Sequence, residues 1–470
     1  CCFFRCFLII VEAMQNRKAT YQLYPSSSQV LKLQDQLHTH QQLWNAALEE
    51  RIDAWRKNKL SISYEDQCKS LTIIRKDNEL KDQWASLNCS SQQITLYRLK
   101  KAFSSFFKRL KRGETPGFPR FKSQRRMTSL GFKSHGDGWK FKPNLKNNGK
   151  PDDFGNIGWG RHGTLYLQGV GHMAVRGQAR AAGIIKSCEV LHQNNKWFVS
   201  FTLECADIDV QRQRKRDDYI AADWGVTDLL TFATASHALT TPSLNDVVFT
   251  TTENPRWYKT TEDQSIALAQ KVSRRKKFSK RWKKAQDEKS RFEAKRARKR
   301  HDHQHKLSAA IAATCIRFST EKLDIKSMTA VKKDTHKENT FHREVLDTAP
   351  GALFQKIAYK VSETGGKYVT APTKELKPSQ TCICGQQKKK ARSERWHRCG
   401  ACGFEAGRDE TAALIVLYWS FGILPPLKKE TKNKNGQEPG ESPNRRKTIL
   451  SDSVLKPRNH HPSSSEFGGV

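Results

Sequence analysis

Four cysteines in one short stretch constrain this chain more than any other feature. Cys382, Cys384, Cys399 and Cys402 form two pairs, each followed by glycine, with 14 residues between the pairs, in the segments TCICG and RCGACG. Thiolates are natural tetrahedral ligands for zinc, and glycine lets a knuckle backbone turn tightly beneath its metal. Such a segment folds as two facing turns around one ion, a zinc ribbon. The second pair has regular Cys-x-x-Cys spacing. The first is Cys-x-Cys, one residue short, so it needs either backbone adjustment or a substitute ligand in His397. A thioredoxin-like redox pair would need a βαβ setting that the flanking sequence lacks. Cys1, Cys2, Cys6, Cys68, Cys89, Cys188, Cys205 and Cys315 are scattered without pattern. That distribution points to a reducing compartment and one metal site, not a disulfide scaffold.

Charge names the class of partner. The chain has 470 residues, with 84 Lys and Arg against 47 Asp and Glu, a net charge of +37. This excess runs through the whole length and predicts a polyanion, above all nucleic acid. It is densest over residues 271–300, where 16 of 30 residues are Lys or Arg and 3 are acidic. Like charges at this density repel unless an anion lies against them. Arg274, Arg275, Lys276, Lys277, Lys280, Arg281, Lys283 and Lys284 are therefore candidate phosphate contacts. Phe278, Trp282 and Phe292 read as core-side anchors of this basic helix, placed at 260–312, in preference to base-stacking platforms. A second candidate is the Pro- and Gly-stiffened loop PGFPRFK, with Arg120 and Lys122 expected exposed, which either touches nucleic acid or caps a helix. No stretch is long and apolar enough to span a membrane. The expected location is the cytoplasm, on the nucleoid, without secretion. In CCFFRCFLIIVEA the apolar run is broken by Arg5 and followed by Glu12, so residues 1–13 read as an extension ahead of a natural start at Met14.

Periodicity divides the remainder. KATYQLYP alternates like a strand, and from Ser28 the apolar residues Val30, Leu31, Leu33, Leu37, Leu43, Trp44, Ala47 and Leu48 recur at helical spacing. A second helix holds Leu96, Leu99, Ala102, Phe103, Phe106, Phe107 and Leu110, and ends where Gly113, Pro116, Gly117 and Pro119 forbid it. EVLHQNNKWFVSFTLE reads as a hairpin turning at Asn194-Asn195, with Trp197, Val199, Phe201 and Leu203 on one face. Residues 14–215 thus predict a β-barrel or sandwich with a helical insertion at about 28–125. Residues 216–420 predict an α/β unit, with the ribbon at 380–404. From 421 onward a Lys-, Asn-, Gly- and Pro-rich tail is expected to be disordered.

Three acids in the α/β unit carry the chemical expectation. Asp223 ends the apolar strand YIAAD before Gly225, Glu321 ends the strand IRFST, and Asp409 opens a helix seven residues after Cys402. Singly, each reads equally well as a turn former, a strand end or a helix cap. A carboxylate at the end of a buried strand is costly unless it is paired or binds metal. Three of them in so basic a chain suit a phosphodiesterase holding two Mg²⁺ ions, hard cations that prefer carboxylate oxygens.

In this order the segments resemble those of the TnpB/OrfB family of insertion-sequence proteins, relatives of the compact type V CRISPR effectors. YQLYP with LWNAALE, and then AFSSFFKRLKRGETPGFPRFKS, resemble the family's N-terminal half. AADWGVTDLLTFAT resembles its first RuvC motif, which places the catalytic Asp at Asp223. KFSKRWKKAQ and HKLSAAIA resemble its basic bridge-helix region. EKLDIKSM is similar to E-D-L-x-x-K-x-M and places the catalytic Glu at Glu321. CGFEAGRDETAA resembles C-G-x-x-x-x-R-D-x-N-A-A and places the third acid at Asp409. Lys322, Gly407, Thr411 and the short first cysteine pair depart from the pattern. The resemblance implies an RNase-H-like (RuvC) nuclease domain with an inserted zinc ribbon, preceded by a wedge β-barrel with a helical insertion. It also implies an RNA-guided DNA endonuclease of a mobile element, with a guide RNA and double-stranded DNA as partners, two Mg²⁺ ions and one structural Zn²⁺. A transposase performing strand transfer and a decayed nucleic-acid-binding regulator are the rival readings.

Overall fold

The structure is a computed structural model and describes residues 14–150, 158–179, 182–206, 214–329, 336–391 and 393–429. The chain forms two compact units, Cys1–Val210 and Gln211–Val470. The division falls five residues before the expected 215/216 boundary. The extension expected at 1–13 lies outside the described residues.

The first unit runs β1 (Met14–Tyr24), α1 (Ser27–Asn58), α2 (Tyr64–Ile74), α3 (Lys81–Trp84) and α4 (Cys89–Lys111), then β2 (Ser129–Phe132), β3 (Trp139–Leu145), β4 (Trp159–Leu167), β5 (Gly171–Arg176), β6 (Ile184–Gln193) and β7 (Lys196–Ala206). Seven antiparallel strands lie in the order β2-β6-β7-β1-β5-β4-β3. The edge strands β2 and β3 are not paired with each other, so the expected barrel is an open, strongly curled sheet. Its curl is visible in the rings. Phe141 of β3 stacks on Phe201 of β7 at 4.2 Å, although three strands separate theirs in the sheet. A flat sheet would hold those strands about 19 Å apart. The hairpin at Asn194 and Asn195 forms as expected. Both residues take positive φ, 49° and 60°, as a type I′ turn requires. Trp197, Val199, Phe201 and Leu203 are all buried on one face.

The helical insertion has its own small core of Leu43, Trp44, Leu48, Leu71, Leu96 and Leu99. Ser26 starts α1 with a reciprocal cap to Gln29, and Asn88 caps α4 through the amide of Ser91. Between the two helices His40 is buried, with Nδ1 2.8 Å from Thr95 Oγ1 and Nε2 3.2 Å from Ser91 Oγ. Burial, aided by Arg98, lowers its pKa to about 3.

The second unit begins with β8 (Asp218–Trp224), β9 (Asp228–Ser236) and β10 (Val248–Glu253), followed by α5 (Glu262–Ser273) and α6 (Lys280–Thr314). Next come β11 (Cys315–Glu321), α7 (Ile325–Met328), α8 (His336–Thr348), α9 (Pro350–Glu363), β12 (Lys367–Ala371) and α10 (Thr373–Leu376). The ribbon strands β13 (Gln386–Gln387), β14 (Trp396–Arg398) and β15 (Glu405–Gly407) lead into α11 (Arg408–Phe421), and β16 (Lys428–Lys429) closes the described chain. The main sheet has the order β10-β9-β8-β11-β12. β10, β9 and β8 are antiparallel neighbours, whereas β8, β11 and β12 run parallel.

Both faces are covered, so β8 reads as an unbroken apolar run. Ile220 and Ala222 face a core with Ile311 of α6 and Leu353, Ile357 and Val361 of α9. Ala221 faces the other core, with Leu414 and Leu417 of α11.

Three expectations change here. The basic stretch is two helices, not one. Arg274–Lys277 lie in the connection between α5 and α6, and Lys271 pairs back to Glu288 at 2.7 Å. Phe278, expected as a core-side anchor, is 60% exposed with φ +69°, because it sits in that connection and not on a buried helix face. The tail expected to be disordered from 421 is structured as far as 429. Phe421 ends α11, Gly422 caps it at φ +74°, and Lys428–Lys429 pair with Gln386–Gln387. Residues 430–470 lie outside the described residues.

Candidate active site and metal centre

Asp223 and Glu321 stand on adjacent parallel strands. Thr320 is in register with Ala222, so the two acids follow at the same end of β8 and β11. Thr320 Oγ1 donates to the carbonyl of Ala222 at 3.1 Å and latches the strands one residue before the acids. Gly225 turns the chain immediately after β8. A Cβ there would meet the Asp228 carbonyl oxygen at 2.6 Å, so the tight return to β9 needs glycine. Beyond Glu321 the chain is held by Thr373, whose hydroxyl accepts from the Lys322 amide at 2.9 Å.

Asp409 arrives from the opposite direction, in the first turn of α11. This helix buries every residue from Thr411 to Tyr418. Arg317 of β11 anchors its far end by donating to the Ser420 carbonyl at 2.8 Å. At its start the Gly407 amide donates to Glu410 Oε2 at 3.2 Å, and Thr411 Oγ1 donates to the Gly407 carbonyl at 2.8 Å. Two departures from the family pattern thus have local uses. A Cβ at Gly407 would meet Glu410 Oε2 at 2.5 Å, and the Thr411 hydroxyl finds its partner within the same turn.

Asp223 senses both of the other acids. Burial first, and then the charges of Glu321 and Asp409, raise the Asp223 pKa well above the usual carboxylate range, with Arg408 opposing. Burial raises Glu321 too. Asp409 pairs with Arg395 at 3.3 Å. Arg395 and Arg408 are the site residues that the sequence reading missed. Arg408 is the arginine of the motif that carries Asp409, whereas no spacing marks Arg395, which reaches Asp409 only through the fold of the ribbon. The carboxylates do not gather tightly. Among the described residues, the cysteine cluster is the one group whose ligand atoms all lie within 4.8 Å of one another. Two buried carboxylates, one of them raised further by the charges of the other and of Asp409, fit a divalent cation, which would offset that repulsion.

The cysteine cluster is preformed. All four Sγ atoms lie within 4.8 Å of one another, with Cys382 to Cys402 at 3.5 Å and Cys384 to Cys399 at 3.7 Å. A tetrahedral zinc thiolate site has edges of about 3.8 Å, so the donor set and its spacing fit that ion. The backbone adjustment expected of the short first pair occurs at Gly385. Its φ is +81°, its amide donates to the Cys382 carbonyl at 2.9 Å, and a Cβ would meet the Pro426 carbonyl oxygen at 2.4 Å. His397 is not recruited as a ligand; its Nδ1 faces the Lys390 ammonium. Cys399 is pulled to about 4 by hydrogen bonds, chiefly from the Cys382 thiol and then from the amides of Cys402 and Ala401.

The ribbon meets the acid site directly. β14 and β15 form a hairpin closed by Cys399, whose amide donates to the Phe404 carbonyl at 3.0 Å. β15 runs into α11 without a break, and the Arg408 amide donates to the Arg395 carbonyl at 2.9 Å. The cysteine turn therefore fixes where α11 begins, and with it where Asp409 sits.

The basic candidates divide. Arg274, Arg275, Lys276, Lys277, Lys280, Arg281, Lys283 and Lys284 are all exposed, as is Arg120. Lys122 is not available as expected. Its ammonium lies 3.6 Å from the centre of the Trp44 ring, and burial, with Arg98 adding repulsion, lowers its pKa to about 8. The apolar wall of Trp44 offers its alkyl stem more than solvent does.

The architecture defines a class: an α/β unit with two carboxylates at neighbouring strand ends, a third at the start of its last helix, and a four-cysteine ribbon feeding that helix. Comparison with known proteins agrees. The OrfB_IS605 profile, described as "Probable transposase", matches residues 200–332; a "Cas12f1-like, TNB domain" profile matches 351–416; and a "Helix-turn-helix domain" profile matches 14–59. Together they cover more than half the chain. The last segment folds here as one strand and one 32-residue helix. A protein of Escherichia coli named "Putative RNA-guided DNA endonuclease InsQ" is 22% identical over 378 residues, 76% of this chain and 83% of its own length. A Streptomyces pristinaespiralis protein named "Putative RNA-guided DNA endonuclease" is 25% identical over 409 residues, 86% of this chain and 89% of its own. The solved mini-RNA-guided endonuclease CRISPR-Cas_phi3 shares the fold, with a TM-score of 0.51 at 10% identity over 88% of this chain and 94% of that one. The chain belongs to the TnpB/OrfB family of insertion-sequence proteins.

Proposed function

We propose that this protein is an RNA-guided DNA endonuclease of a transposable element, cutting double-stranded DNA selected by a bound guide RNA. The observation that carries the proposal is the convergence of Asp223, Glu321 and Asp409, from two strands and a helix, closely enough for Asp223 to sense both other charges. The relatives' names and the sheet order, with an antiparallel hairpin followed by two parallel strands, support a RuvC-type assignment for residues 216–420. The curled sheet with its helical insertion corresponds to the wedge and recognition parts.

In this reading the three carboxylates hold two Mg²⁺ ions, which when bound activate water and stabilise the leaving oxygen of an in-line displacement. Asp223 and Glu321, fixed by the strand register, define one edge of the site, and Asp409 closes it from α11. Arg395 balances Asp409. The cysteines hold one structural Zn²⁺, which sets the start of α11 through the β14–β15 hairpin. Arg274–Lys277 and Lys280–Lys284 present an exposed cationic edge to phosphate. A guided DNA nuclease with this charge works in the cytoplasm, on the nucleoid; no helix among the described residues is long and apolar enough to cross a membrane.

The test is cleavage. The full chain, expressed with its flanking transcript, is offered a plasmid library carrying the guide-matched target beside randomised neighbours, with Mg²⁺. Guide-dependent linear product that Asp223→Ala abolishes is expected. Joined strand-transfer products would install the transposase reading instead, and RNA binding with no cleavage would install the regulator.

A further inference from the structure

An aromatic cluster at the end of the helical insertion has no part in the proposed cleavage chemistry. Phe103, Phe106 and Phe107 recur at i, i+3 and i+4 on α4, and Phe118 joins them from the loop that follows. Phe118 meets Phe103 at 5.6 Å and 89°, and Phe106 at 5.4 Å and 83°; Phe106 meets Phe107 at 5.2 Å and 74°. These edge-to-face contacts leave ring surface outward. Phe107 is 53% exposed, Phe118 47% and, further along the loop, Phe121 52%.

The exposure does not come from a loose loop. The backbone carrying Phe118 and Phe121 is clamped to α1. Trp44 Nε1 donates to the Arg120 carbonyl at 3.1 Å. Gln41 and Asn45 both donate to the Lys122 carbonyl, at 2.7 and 3.0 Å, and the Lys122 amide donates to Asn45 Oδ1 at 2.8 Å. Pro119 is buried between the two exposed rings. Rings presented by a fixed backbone cost little ordering on binding.

Charge identifies the occupant. Residues 101–126 contain nine Lys and Arg and a single acid, Glu114. Lys108, Arg109, Lys111, Arg112 and Arg120 are exposed around the rings. A protein partner would have to bring many acids to so cationic a rim, whereas a nucleic-acid strand brings one phosphate per base. Aromatic rings among cations are what unpaired bases stack on. An exposed apolar patch also needs an occupant that stays; under the function proposed above that is the guide RNA, since target DNA is met only transiently.

We propose that Phe107, Phe118 and Phe121 form a stacking platform for an unpaired stretch of RNA, with Arg109, Arg112 and Arg120 on its phosphates. The proposal rests on the guide-RNA reading for its occupant and on geometry for its chemistry.

The experiment uses the full chain carrying Asp223→Ala, so that cleavage plays no part, and a short unstructured RNA with 2-aminopurine at one position. Wild-type rings are expected to quench the probe on binding. Removing all three rings with Phe→Leu, which keeps the apolar volume, is expected to weaken binding by about tenfold per ring and abolish quenching, with the salt slope unchanged. The Phe→Trp triple is expected to retain both. Arg109→Ala with Arg112→Ala is expected to lower the salt slope by about one per residue and leave quenching at saturation intact. Thermal unfolding verifies that each variant is folded. Unchanged affinity and quenching in a folded Leu triple would overturn the proposal. So would loss confined to single-stranded DNA, or a wild-type dimer that the Leu triple disperses. Failure of the plasmid assay with quenching intact would instead sink the nuclease reading and leave the platform standing.

Discussion

The cysteine cluster and the carboxylate cluster are both sets of candidate metal ligands, yet they are built in opposite ways. The cysteines come from 21 consecutive residues and two turns, and their sulfurs gather within 4.8 Å of one another. The acids come from positions 223, 321 and 409, and they approach one another only because a helix starts where a parallel strand pair ends. Thiols are cheap to bring together, since they are neutral until metal displaces their protons. Carboxylates resist burial and repel one another, and the raised pKa of Asp223 records both costs, burial first. One site is a local fold that shapes its neighbour. The other is a tertiary arrangement held together against its own charge by surrounding structure.

Breaking the acid set should have the largest effect. Asp223→Ala, Glu321→Ala and Asp409→Ala are each expected to lower guide-dependent cleavage on the order of a thousandfold or more, measured as linear product per minute, with RNA affinity unchanged. If any one of them cuts normally, that residue is not part of the site.

Breaking the cysteine set should act on the acids through α11. Cys384→Ser, or treatment with a zinc chelator, is expected to lower Tm by roughly 5–10 °C and cleavage by about 10- to 100-fold. Loss of Tm with cleavage intact would uncouple the two clusters. The Arg395–Asp409 contact would then be incidental.

Charge should sharpen the contrast further. The folded pKa values of Asp223 and Glu321 are raised above their ordinary values of 3.8 and 4.5. Their contribution is therefore fully present below those values and is lost as pH rises through the raised folded values. Metal-free protein is expected to lose stability from about pH 4 upward, and Asp223→Asn to raise its Tm by a few degrees near neutral pH. Mg²⁺ should stabilise the wild type and not the variant. A variant no more stable than wild type at pH 7 would show that neither burial nor repulsion disfavours the charged Asp223.

The smallest effect lies in the first unit. His40 has a folded pKa lowered to about 3 from 6.5, so its contribution is present above 6.5 and lost as pH falls from 6.5 toward 3. His40→Gln should flatten the acid limb of a Tm-against-pH curve by a degree or two at pH 5. A curve identical to wild type would place the acid sensitivity elsewhere.

Much of this was legible before any coordinates. The hairpin at Asn194-Asn195, strands β1, β8, β9 and β11, and helices α1, α4 and α11 follow from periodicity and turn chemistry, which act over a few residues. The four cysteines declared their own cluster by spacing. What stayed hidden depends on contacts distant in sequence. The curl that brings Phe141 onto Phe201, Lys122 folding over Trp44 and Arg395 beside Asp409 leave no periodic trace.

Phe278 shows why composition alone misleads. An aromatic in a basic segment reads as an anchor until the backbone turns it outward. The sequence by itself determined which ligands this protein owns, because side-chain chemistry and local spacing are written residue by residue. Only the tertiary structure decided which acids act together, because carboxylates nearly a hundred residues apart become neighbours through strand register and helix packing, and neither belongs to any single segment.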